Sequence, residues 1–493
     1  MSRSTGRVAV VLVIIAGSVL RFATASPLWL DEALSVHIAT GDASLTEALR
    51  QDGHPALFYL LLGWWIDVFG DGDTAVRALS GVLSLITVPV IWMATRRYGR
   101  DVAIATLLLV ATSPYLIRYA TETRMYALIV LIIALGWWAL EAAWEQPTAR
   151  RLPAVAAITA AAVHTHYWTF YAIAAAGLIV LMAGRRTNKH NTAARLLLAM
   201  AAGAATFIVW LGVFIDQLAE TGTPWAIRAR PTEVFIETLQ GIGGNNRFEG
   251  ESLGVLLGFS AVLGMLTISP TRDKVLQLRS SIHPSMQVPA AAAGLGLGIG
   301  AAAAVVSGSA FEARYAAIAL PFILLLAGRG IAMLDTRARM SLLAVLVLLG
   351  TAISIDEARR TRSQGEEVAS AIDDAVGPGD VIIFCPDQLG PATTHYLETD
   401  VERRAFPSGD GFVIDWRGYL DRIASTDPIT FATHAHEAAG DSAVWFVGSP
   451  RYRGFDLPCS TVEATLQERR NSENIVRLEQ IFEGMYATRY GVR

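Results

Sequence analysis

Long apolar runs are the feature of this sequence that most restricts its fold. Runs of about 17–25 residues recur from the N-terminus to about residue 356 and then stop, and a helix of that length spans a bilayer. Hydrophobic residues make up 53% of the 493 residues and charged residues only 17%, against about 25% charged residues in an average globular chain. The sequence therefore predicts a mainly α-helical, polytopic membrane protein rather than a string of soluble domains.

The apolar runs predict eleven transmembrane helices. They cover residues 7–25, 76–95, 102–118, 125–144, 153–167, 168–184, 193–214, 253–270, 288–307, 315–330 and 340–356. Almost no loop separates the fifth run from the sixth. A further apolar run at 54–70 is short and contains Asp67, so its assignment depends on the charges of the loops.

The loop charges predict the orientation of these helices. With a cytoplasmic N-terminus and with 54–70 left out of the count, every inside loop contains Arg or Lys, as the positive-inside rule requires. These residues are Arg96, Arg97, Arg100, Arg150, Arg151, Arg185, Arg186, Lys189, Arg272, Lys274, Arg279, Arg329, Arg337 and Arg339. Counting 54–70 as a span would move the basic segment 95–101 outside. We therefore expect 54–70 to be an interfacial helix on the outer surface of the cell membrane.

The N-terminal run allows a second interpretation. Residues 23–25, Ala-Thr-Ala, could form a signal-peptidase site, although Arg21 and Phe22 lie where the apolar run of a signal peptide should continue. In both interpretations the loop that begins at Pro27 lies outside the cell membrane.

The segment 357–493 has a different character and predicts a small extracytoplasmic α/β domain. Its charge is higher, and the β-type runs at 380–386 and 443–448 alternate with helix-like segments such as 461–473. The predicted organisation is thus a transmembrane module at 1–356, with a first outer loop at 27–75, and a soluble domain at 357–493. Cys385 and Cys459 both lie in this domain, where a disulfide bond and two buried thiols are equally consistent with the sequence.

Charge and cysteine content exclude several classes of function. The 40 basic and 44 acidic residues give a net charge of −4 with no basic stripe, so nucleic acid is not a predicted partner. Two cysteines are too few for a disulfide scaffold, a zinc finger or an iron–sulfur protein.

The first two polar clusters lie in the predicted first outer loop. In SPLWLDEALS, Asp31 and Glu32 are adjacent between apolar residues, and they could either cap a helix or act in catalysis. In GHPALFY, His54 begins the interfacial run and Tyr59 lies within it, although a His-Pro pair could also be a simple turn.

Three further clusters lie in later outer loops. RYATETRMYAL places Arg118, Glu122 and Arg124, flanked by Tyr119 and Tyr126, between two spans, where charges are costly unless they are paired, so pairing and function are both open. VHTHYWTFY contains His164, His166 and Tyr167, and the spacing of its histidines does not favour a metal site because i and i+2 do not share a helix face. SGSAFEARYAAIALP contains Glu312, Arg314 and Tyr315.

All five clusters fall on the same predicted side of the membrane. An enzyme that acts on a lipid headgroup needs polar groups together at that depth. An ion-coupled transporter would instead place charges near the bilayer midplane. Glu141 and Asp216 lie near the ends of their predicted helices. The distribution favours a membrane enzyme over a transporter or flippase of a lipid-linked sugar. A scaffold protein is the least favoured alternative, because eleven spans exceed what an anchor needs.

Four of these motifs, taken in order, resemble the GT-C superfamily of polyprenyl-phosphate-sugar glycosyltransferases. They are WLDEALS, HPALFYLLLGWW with FGDGDTAVRALSG, YATETRMYAL and ARYAAIALP, within about residues 7–330. They are most similar to the protein O-mannosyltransferase-like branch, related to glycosyltransferase family 39. That branch often has His-Pro-Pro where this chain has His-Pro-Ala at 54–56, and QEARMY where it has TETRMY at 121–126. The charged positions are kept.

The resemblance implies an inverting transfer of a sugar from a polyprenyl-phosphate donor to a hydroxyl on a glycan, a glycolipid or a protein. Asp31 would be the general base, and Glu32 would orient hydroxyl groups of the donor or acceptor. Arg314 would bind the departing phosphate, or Arg124 would do so with Glu122 holding it in place. The identities of the sugar and the acceptor stay open.

The remaining candidate residues would contact the substrate. His54 would meet the lipid headgroup, and the tyrosines would supply rings and hydroxyls for a sugar, although tyrosines of an interfacial aromatic belt are an alternative. These candidates are His54, Tyr59, Tyr119, Tyr126, His166, Tyr167 and Tyr315. No cofactor is assigned, and a divalent cation beside the Asp-Glu pair is left open, because such a pair alone does not define a metal site.

Overall fold

The computed structural model describes residues 3–41, 44–220, 230–244, 247–270, 276–307 and 311–493. These residues form two compact units. The transmembrane unit comprises Met1–Thr24, Arg77–Trp210 and Ile227–Ala358, and the α/β unit comprises Ala25–Val76, Leu211–Ala226 and Arg359–Arg493. The α/β unit therefore contains residues of the predicted first outer loop as well as the C-terminal segment.

The secondary structure up to residue 359 is almost entirely helical. Its elements are α1 (Arg3–Leu20), α2 (Leu30–Thr40), α3 (Leu45–Asp52), α4 (Leu57–Phe69), α5 (Asp73–Thr95), α6 (Arg100–Ala111), α7 (Pro114–Ala120), α8 (Tyr126–Glu145), α9 (Arg151–Val163), α10 (Thr169–Arg186), α11 (His190–Ala205), α12 (Leu211–Glu220), α13 (Pro231–Gly243), α14 (Phe248–Met265), β1 (Leu266–Pro270), β2 (Leu276–Ile282), α15 (Gln287–Ser307), α16 (Leu320–Ala332) and α17 (Thr336–Arg359).

The C-terminal segment alternates between helices and strands. Its elements are α18 (Gly365–Asp373), β3 (Val381–Cys385), α19 (Gly390–Thr394), β4 (Glu402–Ala405), α20 (Tyr419–Ser425), α21 (Pro428–Ala439), β5 (Val444–Gly448), α22 (Asp456–Arg469), β6 (Asn471–Val476) and β7 (Tyr486–Gly491).

The described residues include seven helical segments long and apolar enough to cross a membrane, or eight when one bent pair counts as a single span. They are Asp73–Tyr98, Tyr126–Glu145, Thr169–Arg186, His190–Glu220, Phe248–Met265, Pro284–Val306 and Thr336–Arg359, with Arg100–Ala111 and Pro114–Ala120 as the bent pair. Gly6–Leu20, Leu57–Phe69, Arg151–Val163 and Leu320–Ala332 are shorter apolar helices. The chain is a mainly helical, multi-pass membrane protein, as predicted, but the number of eleven spans is not established.

The bent pair corrects the single helix predicted over 102–118. Helices α6 and α7 meet at 47°, because Ser113 and Pro114 start a new helix. The Ser113 hydroxyl accepts a hydrogen bond from the Leu116 N–H at 3.3 Å, and Pro114 occupies the first turn, where its missing N–H leaves no hydrogen bond unmade.

Two other predicted helix boundaries are wrong. The span predicted over 253–270 ends as α14 at Met265, and the next residues form β1, which pairs antiparallel with β2. The β-branched residues at 267 and 268 favour a strand over continued helix. The span predicted over 315–330 begins with a 3₁₀ helix at Ala313–Ile318, and α16 starts only at Leu320 because Pro321 lies in its first turn.

Small residues allow close helix packing in the transmembrane unit. A Cβ atom added to Gly264 of α14 would overlap the backbone of α16 at Leu326, and one added to Gly330 of α16 would overlap the backbone of α14 at Ser260. Close backbone approach of this kind is how membrane helices gain packing energy without a hydrophobic driving force.

A five-stranded sheet forms the centre of the α/β unit, in the order β4-β3-β5-β7-β6. β3 pairs parallel with both β4 and β5, and β7 pairs antiparallel with β5 and β6. The runs at 380–386 and 443–448 thus correctly predicted β3 and β5. The helix predicted over 461–473 is shorter at its end, because α22 stops at Arg469 and β6 starts at Asn471 to pair with β7.

Apolar cores cover both faces of this sheet. On one face Ile383 and Phe446 pack with α21 and α22, and Trp29 and Leu30 of the first loop belong to the same core. On the other face Ile382, Phe384 and Trp445 pack with α18. A disulfide bond joins Cys385 of β3 to Cys459 of α22, which resolves the alternative left open by the sequence.

Candidate active site

The Asp-Glu pair lies in the first turn of α2, in the α/β unit. Leu30 is the first residue of that helix, so Asp31 and Glu32 point in directions about 100° apart around its axis. Glu32 is fully buried and accepts a weak hydrogen bond from the Trp29 N–H at 3.5 Å, so it helps to cap its own helix. Asp31 is only half-buried. Of the two acidic residues, Asp31 is therefore the more exposed.

The C-terminal segment fixes the start of α2. The Leu30 N–H donates to Glu483 Oε1 at 3.0 Å, and the Leu28 N–H donates to the Tyr396 hydroxyl at 2.6 Å. Tyr396 in turn donates to Asp73 Oδ2 at 2.6 Å. At the other end of the helix, His37 Nδ1 donates to the Phe412 carbonyl at 2.8 Å. Residues more than 300 positions away in the sequence therefore position the Asp31 backbone.

Buried acids surround this region of the α/β unit. Burial and the neighbouring Asp31 raise the pKa of Glu483 to about 8, and burial raises the pKa of Asp387 to about 7. Asp387 follows β3 and accepts a hydrogen bond from the Tyr419 hydroxyl. Burial and the acids Glu483 and Asp31 raise the pKa of Tyr452 well above its usual range. Near pH 7, Glu483 is thus mostly neutral, and Asp387 is close to the midpoint of its titration.

His54 and Tyr59 share a partner that the sequence did not reveal. The carboxylate of buried Asp52 accepts hydrogen bonds from His54 Nδ1 at 2.8 Å and from the Tyr59 hydroxyl at 2.6 Å, both on Oδ2. Asp52 precedes His54 by two residues in QDGHP, and this short spacing was the available signal. The arrangement orients the imidazole with its other nitrogen directed away from the carboxylate.

The transmembrane unit brings together most of the remaining candidates in one aromatic cluster. The ring of Tyr126 lies 4.9 Å from that of Tyr119 and 6.0 Å from that of His166, and the rings of His166 and Tyr315 are 5.5 Å apart. The Arg314 guanidinium lies 6.0 Å from the Tyr126 ring and 5.9 Å from the Tyr315 ring. Residues from three separate sequence motifs therefore meet around one cation.

Glu122 forms an ion pair in the same unit. Its Oε2 atom lies 3.2 Å from Arg118, whose guanidinium also contacts Glu357 at 2.9 Å. Arg124, which the sequence suggested as the cation held by Glu122, is buried, and its carbonyl accepts a hydrogen bond from Ser80 at 3.2 Å. The structure thus adds Arg118 as a partner of Glu122, and the pairing of Glu122 with Arg124 stays a prediction.

Tyr167 has an aromatic environment of its own. Its hydroxyl accepts a hydrogen bond from Trp210 Nε1 at 3.2 Å, and its ring contacts Phe170 and Phe207. Trp168, the next residue, stacks on Tyr315 at 4.8 Å, so this neighbour, which the sequence did not single out, joins the Arg314 cluster.

A polar cavity of about 280 Å³ adjoins this cluster within the transmembrane unit. Its lining residues are Tyr115, Arg118, Tyr119, Glu237, Gln240, Gly241, Gly244, Glu312 and Ala313. Burial, together with repulsion from Glu312 and Glu233, raises the pKa of Glu237 to about 7. Hydroxyls, carboxyls, an amide and a guanidinium at one cavity can bind a ligand rich in hydroxyl groups.

Metal ligands are not grouped in the residues that the structure describes. No set of three or more His, Cys, Asp or Glu side chains among them is placed to hold a metal ion. No metal is therefore assigned to the Asp31–Glu32 pair.

Comparison with known proteins identifies similar families and structures. Residues 53–210 match the family model described as dolichyl-phosphate-mannose-protein mannosyltransferase. No curated protein sequence matches the chain.

Solved structures match over nearly the whole length. ArnT from Cupriavidus metallidurans in the apo state matches with a TM-score of 0.62 and 15% identity, over 99% of this chain and 98% of that chain. The same protein bound to undecaprenyl phosphate matches with a TM-score of 0.61 and 13% identity, over the same shares. The arabinofuranosyltransferase AftD from Mycobacteria matches with a TM-score of 0.52 and 13% identity, over all of this chain and 40% of that chain. The chain therefore shares the GT-C fold of these structures, and the family model bears out the resemblance over residues 53–210.

Proposed function

We propose that this chain is an inverting glycosyltransferase that moves a monosaccharide from a polyprenyl phosphate to a hydroxyl acceptor at the outer face of the cell membrane. The exposure and the fixed position of Asp31 are the observation that supports the proposal most strongly. The residue is half-buried while Glu32 beside it is fully buried, and hydrogen bonds hold both ends of its helix. A general base needs this combination of access and fixed position.

The proposed reaction is a direct displacement at the anomeric carbon. The acceptor oxygen attacks the anomeric carbon from the side opposite the phosphate, the bond from that carbon to the phosphate oxygen breaks, and the configuration inverts. Asp31 takes the proton of the acceptor hydroxyl, and the polyprenyl phosphate departs with the electron pair. Positive charge near the departing phosphate lowers the barrier, because negative charge develops there.

Arg314 is the proposed phosphate ligand. It lies between the rings of Tyr126 and Tyr315, and a guanidinium can bind two phosphate oxygens at once. The polar cavity beside Tyr119 and Glu237 would receive sugar hydroxyls. The polyprenyl-phosphate donor is supported by the complex of ArnT with undecaprenyl phosphate and by the family model over 53–210. His54, oriented by Asp52, is proposed to meet the lipid headgroup.

The test is sugar transfer in nanodiscs from a panel of radiolabelled polyprenyl-phosphate sugars to a cell-envelope acceptor fraction. Wild type is compared with Asp31→Asn, and Asp71→Asn serves as a control because Asp71 is an exposed acid of the same loop. Donor binding is measured separately with each protein. We expect Asp31→Asn to lower turnover by about 10²–10⁴-fold, the usual contribution of a general base. Donor affinity should stay within a few-fold.

Three outcomes would count against the proposal. Equal transfer by wild type and Asp31→Asn would remove Asp31 from the chemistry. No transfer from any donor, with lipid-linked sugar still bound and moved across the bilayer, would instead indicate a transporter. Loss of activity in Asp71→Asn would show that the loop is merely sensitive to substitution.

A further inference from the structure

Glu483 is a buried acid whose position is fixed by backbone pairing just before β7. Its N–H donates to the Arg362 carbonyl at 2.7 Å, and its own carbonyl accepts from the Gln364 N–H at 3.1 Å. Only 3% of the residue is exposed. Its side chain therefore has little freedom, and Oε1 accepts the Leu30 N–H at 3.0 Å. Asp31, the proposed base, is the next residue after Leu30.

The groups that face this carboxyl come from three segments. Asp31 comes from α2, Tyr452 comes from the segment after β5, and Ser363 comes from the segment that pairs with Glu483. Arg362 lies in that last segment and is also buried. The charge of Asp387 also contributes to the raised pKa of the Tyr452 hydroxyl. An ionised Glu483 carboxylate would repel Asp31, and the burial of Glu483 would strengthen that repulsion.

We propose that Glu483 is a positioning residue for the sugar-transfer reaction: its carboxyl group holds the first turn of α2 through the Leu30 N–H and so places Asp31 for proton transfer. This inference rests on the proposed function, in which Asp31 is the base. The neutral form accepts the N–H without adding charge next to Asp31. Ionisation would add that charge and displace the turn.

The kinetic test compares the pH dependence of kcat/KM in wild type, Glu483→Gln and Glu479→Gln. The Glu483→Gln side chain keeps an oxygen acceptor for the Leu30 N–H and cannot ionise, whereas Glu479 is an exposed acid four residues away and serves as the control. The pKa of Glu483 is raised to about 8, so wild-type kcat/KM should fall about tenfold per pH unit above that value. Glu483→Gln should stay within about threefold of wild type at pH 7 and lose this alkaline fall.

Glu483→Ala separates the hydrogen bond from the charge. It removes the acceptor of the Leu30 N–H, and it should lower kcat at pH 7 by roughly tenfold to a hundredfold with little change in KM, as for a misplaced catalytic group. An unchanged alkaline fall in Glu483→Gln, or a loss at pH 7 as large as that of Glu483→Ala, would overturn the proposal.

Thermal unfolding in nanodiscs provides a readout that does not need activity. The folded pKa of Glu483 lies above its ordinary value of 4.5, so the folded state binds the extra proton and stability falls as pH rises from about 4.5 to about 8. The melting temperature of Glu483→Gln should fall less over this range than that of Glu479→Gln, and equal falls would contradict a neutral Glu483. If wild type transfers no sugar, the proposed function fails, and these melting curves still decide the protonation state of Glu483.

Discussion

Two buried sites, one in each unit of this protein, neutralise acidic charge by different means. In the transmembrane unit, Glu122 lies against Arg118, so opposite charges compensate each other. In the α/β unit, Asp387 and Glu483 are buried beside hydroxyl and N–H donors, and their raised pKa values let both take up protons at or near pH 7. Ion pairing depends little on pH between about 5 and 8, whereas protonation changes within that range. The stability of the α/β unit should therefore depend on the protonation of Asp387 and Glu483, whereas the Glu122–Arg118 pair should contribute little pH dependence.

The largest effect within this comparison is expected at the buried ion pair. Replacing Glu122 by Gln removes a buried partner of the Arg118 cation, and removing one member of such a pair costs about 3–5 kcal/mol. Glu357 also contacts Arg118 and should limit the loss. Differential scanning calorimetry of the variant in nanodiscs should show a clearly lower melting temperature than that of wild type. The same temperature as wild type would mean that Glu357 alone compensates the cation.

A smaller, pH-dependent effect is expected for Asp387→Asn. The folded pKa of about 7 lies above the ordinary value of 3.8, so the wild-type protein loses stability as pH rises from about 4 to about 7. The introduced amide would keep an oxygen that accepts the Tyr419 hydroxyl and would remove this contribution. The melting temperature of the variant should therefore change less than that of wild type between about pH 4.5 and about pH 7.5, the range in which the carboxyl group titrates.

The control for this measurement is Asp374→Asn, which changes an exposed acid of the same unit. Its melting temperature should follow that of wild type across the range. A pH dependence in Asp387→Asn as steep as in wild type would show that Asp387 is ionised in the folded protein.

The sequence predicted the elements that depend on local pattern. Long apolar runs predicted the membrane helices, and short β-type runs predicted β3 and β5. It missed the break between α6 and α7, although Ser113 and Pro114 are a local helix-start signal, because the surrounding residues are apolar enough for one uninterrupted span.

The candidate site was predictable only in part. Some of its residues carry a local sequence signal, whereas their positions depend on contacts with residues that are distant in the sequence. Asp31, Glu122 and Arg314 stood out because charged residues are rare beside membrane helices. Glu483 lies 453 residues from its partner Leu30, in a segment with no motif, so nothing local could indicate the contact. The different exposures of Asp31 and Glu32 likewise depend on how α2 packs in the α/β unit, which adjacency in sequence does not determine.

The smallest effect should come from an ion pair that resembles the Glu122 pair in geometry but not in burial. Glu145 contacts Arg97 at 2.6 Å, yet 59% of its side chain is exposed, and Arg97 also contacts the less exposed Glu141 at 2.6 Å. Exposed pairs contribute about 0–1 kcal/mol because water already solvates both charges. Glu145→Gln should therefore leave the melting temperature nearly unchanged, and high salt should remove any difference. A loss comparable to that of Glu122→Gln would mean that geometry, rather than burial, sets the strength of ion pairs in the transmembrane unit.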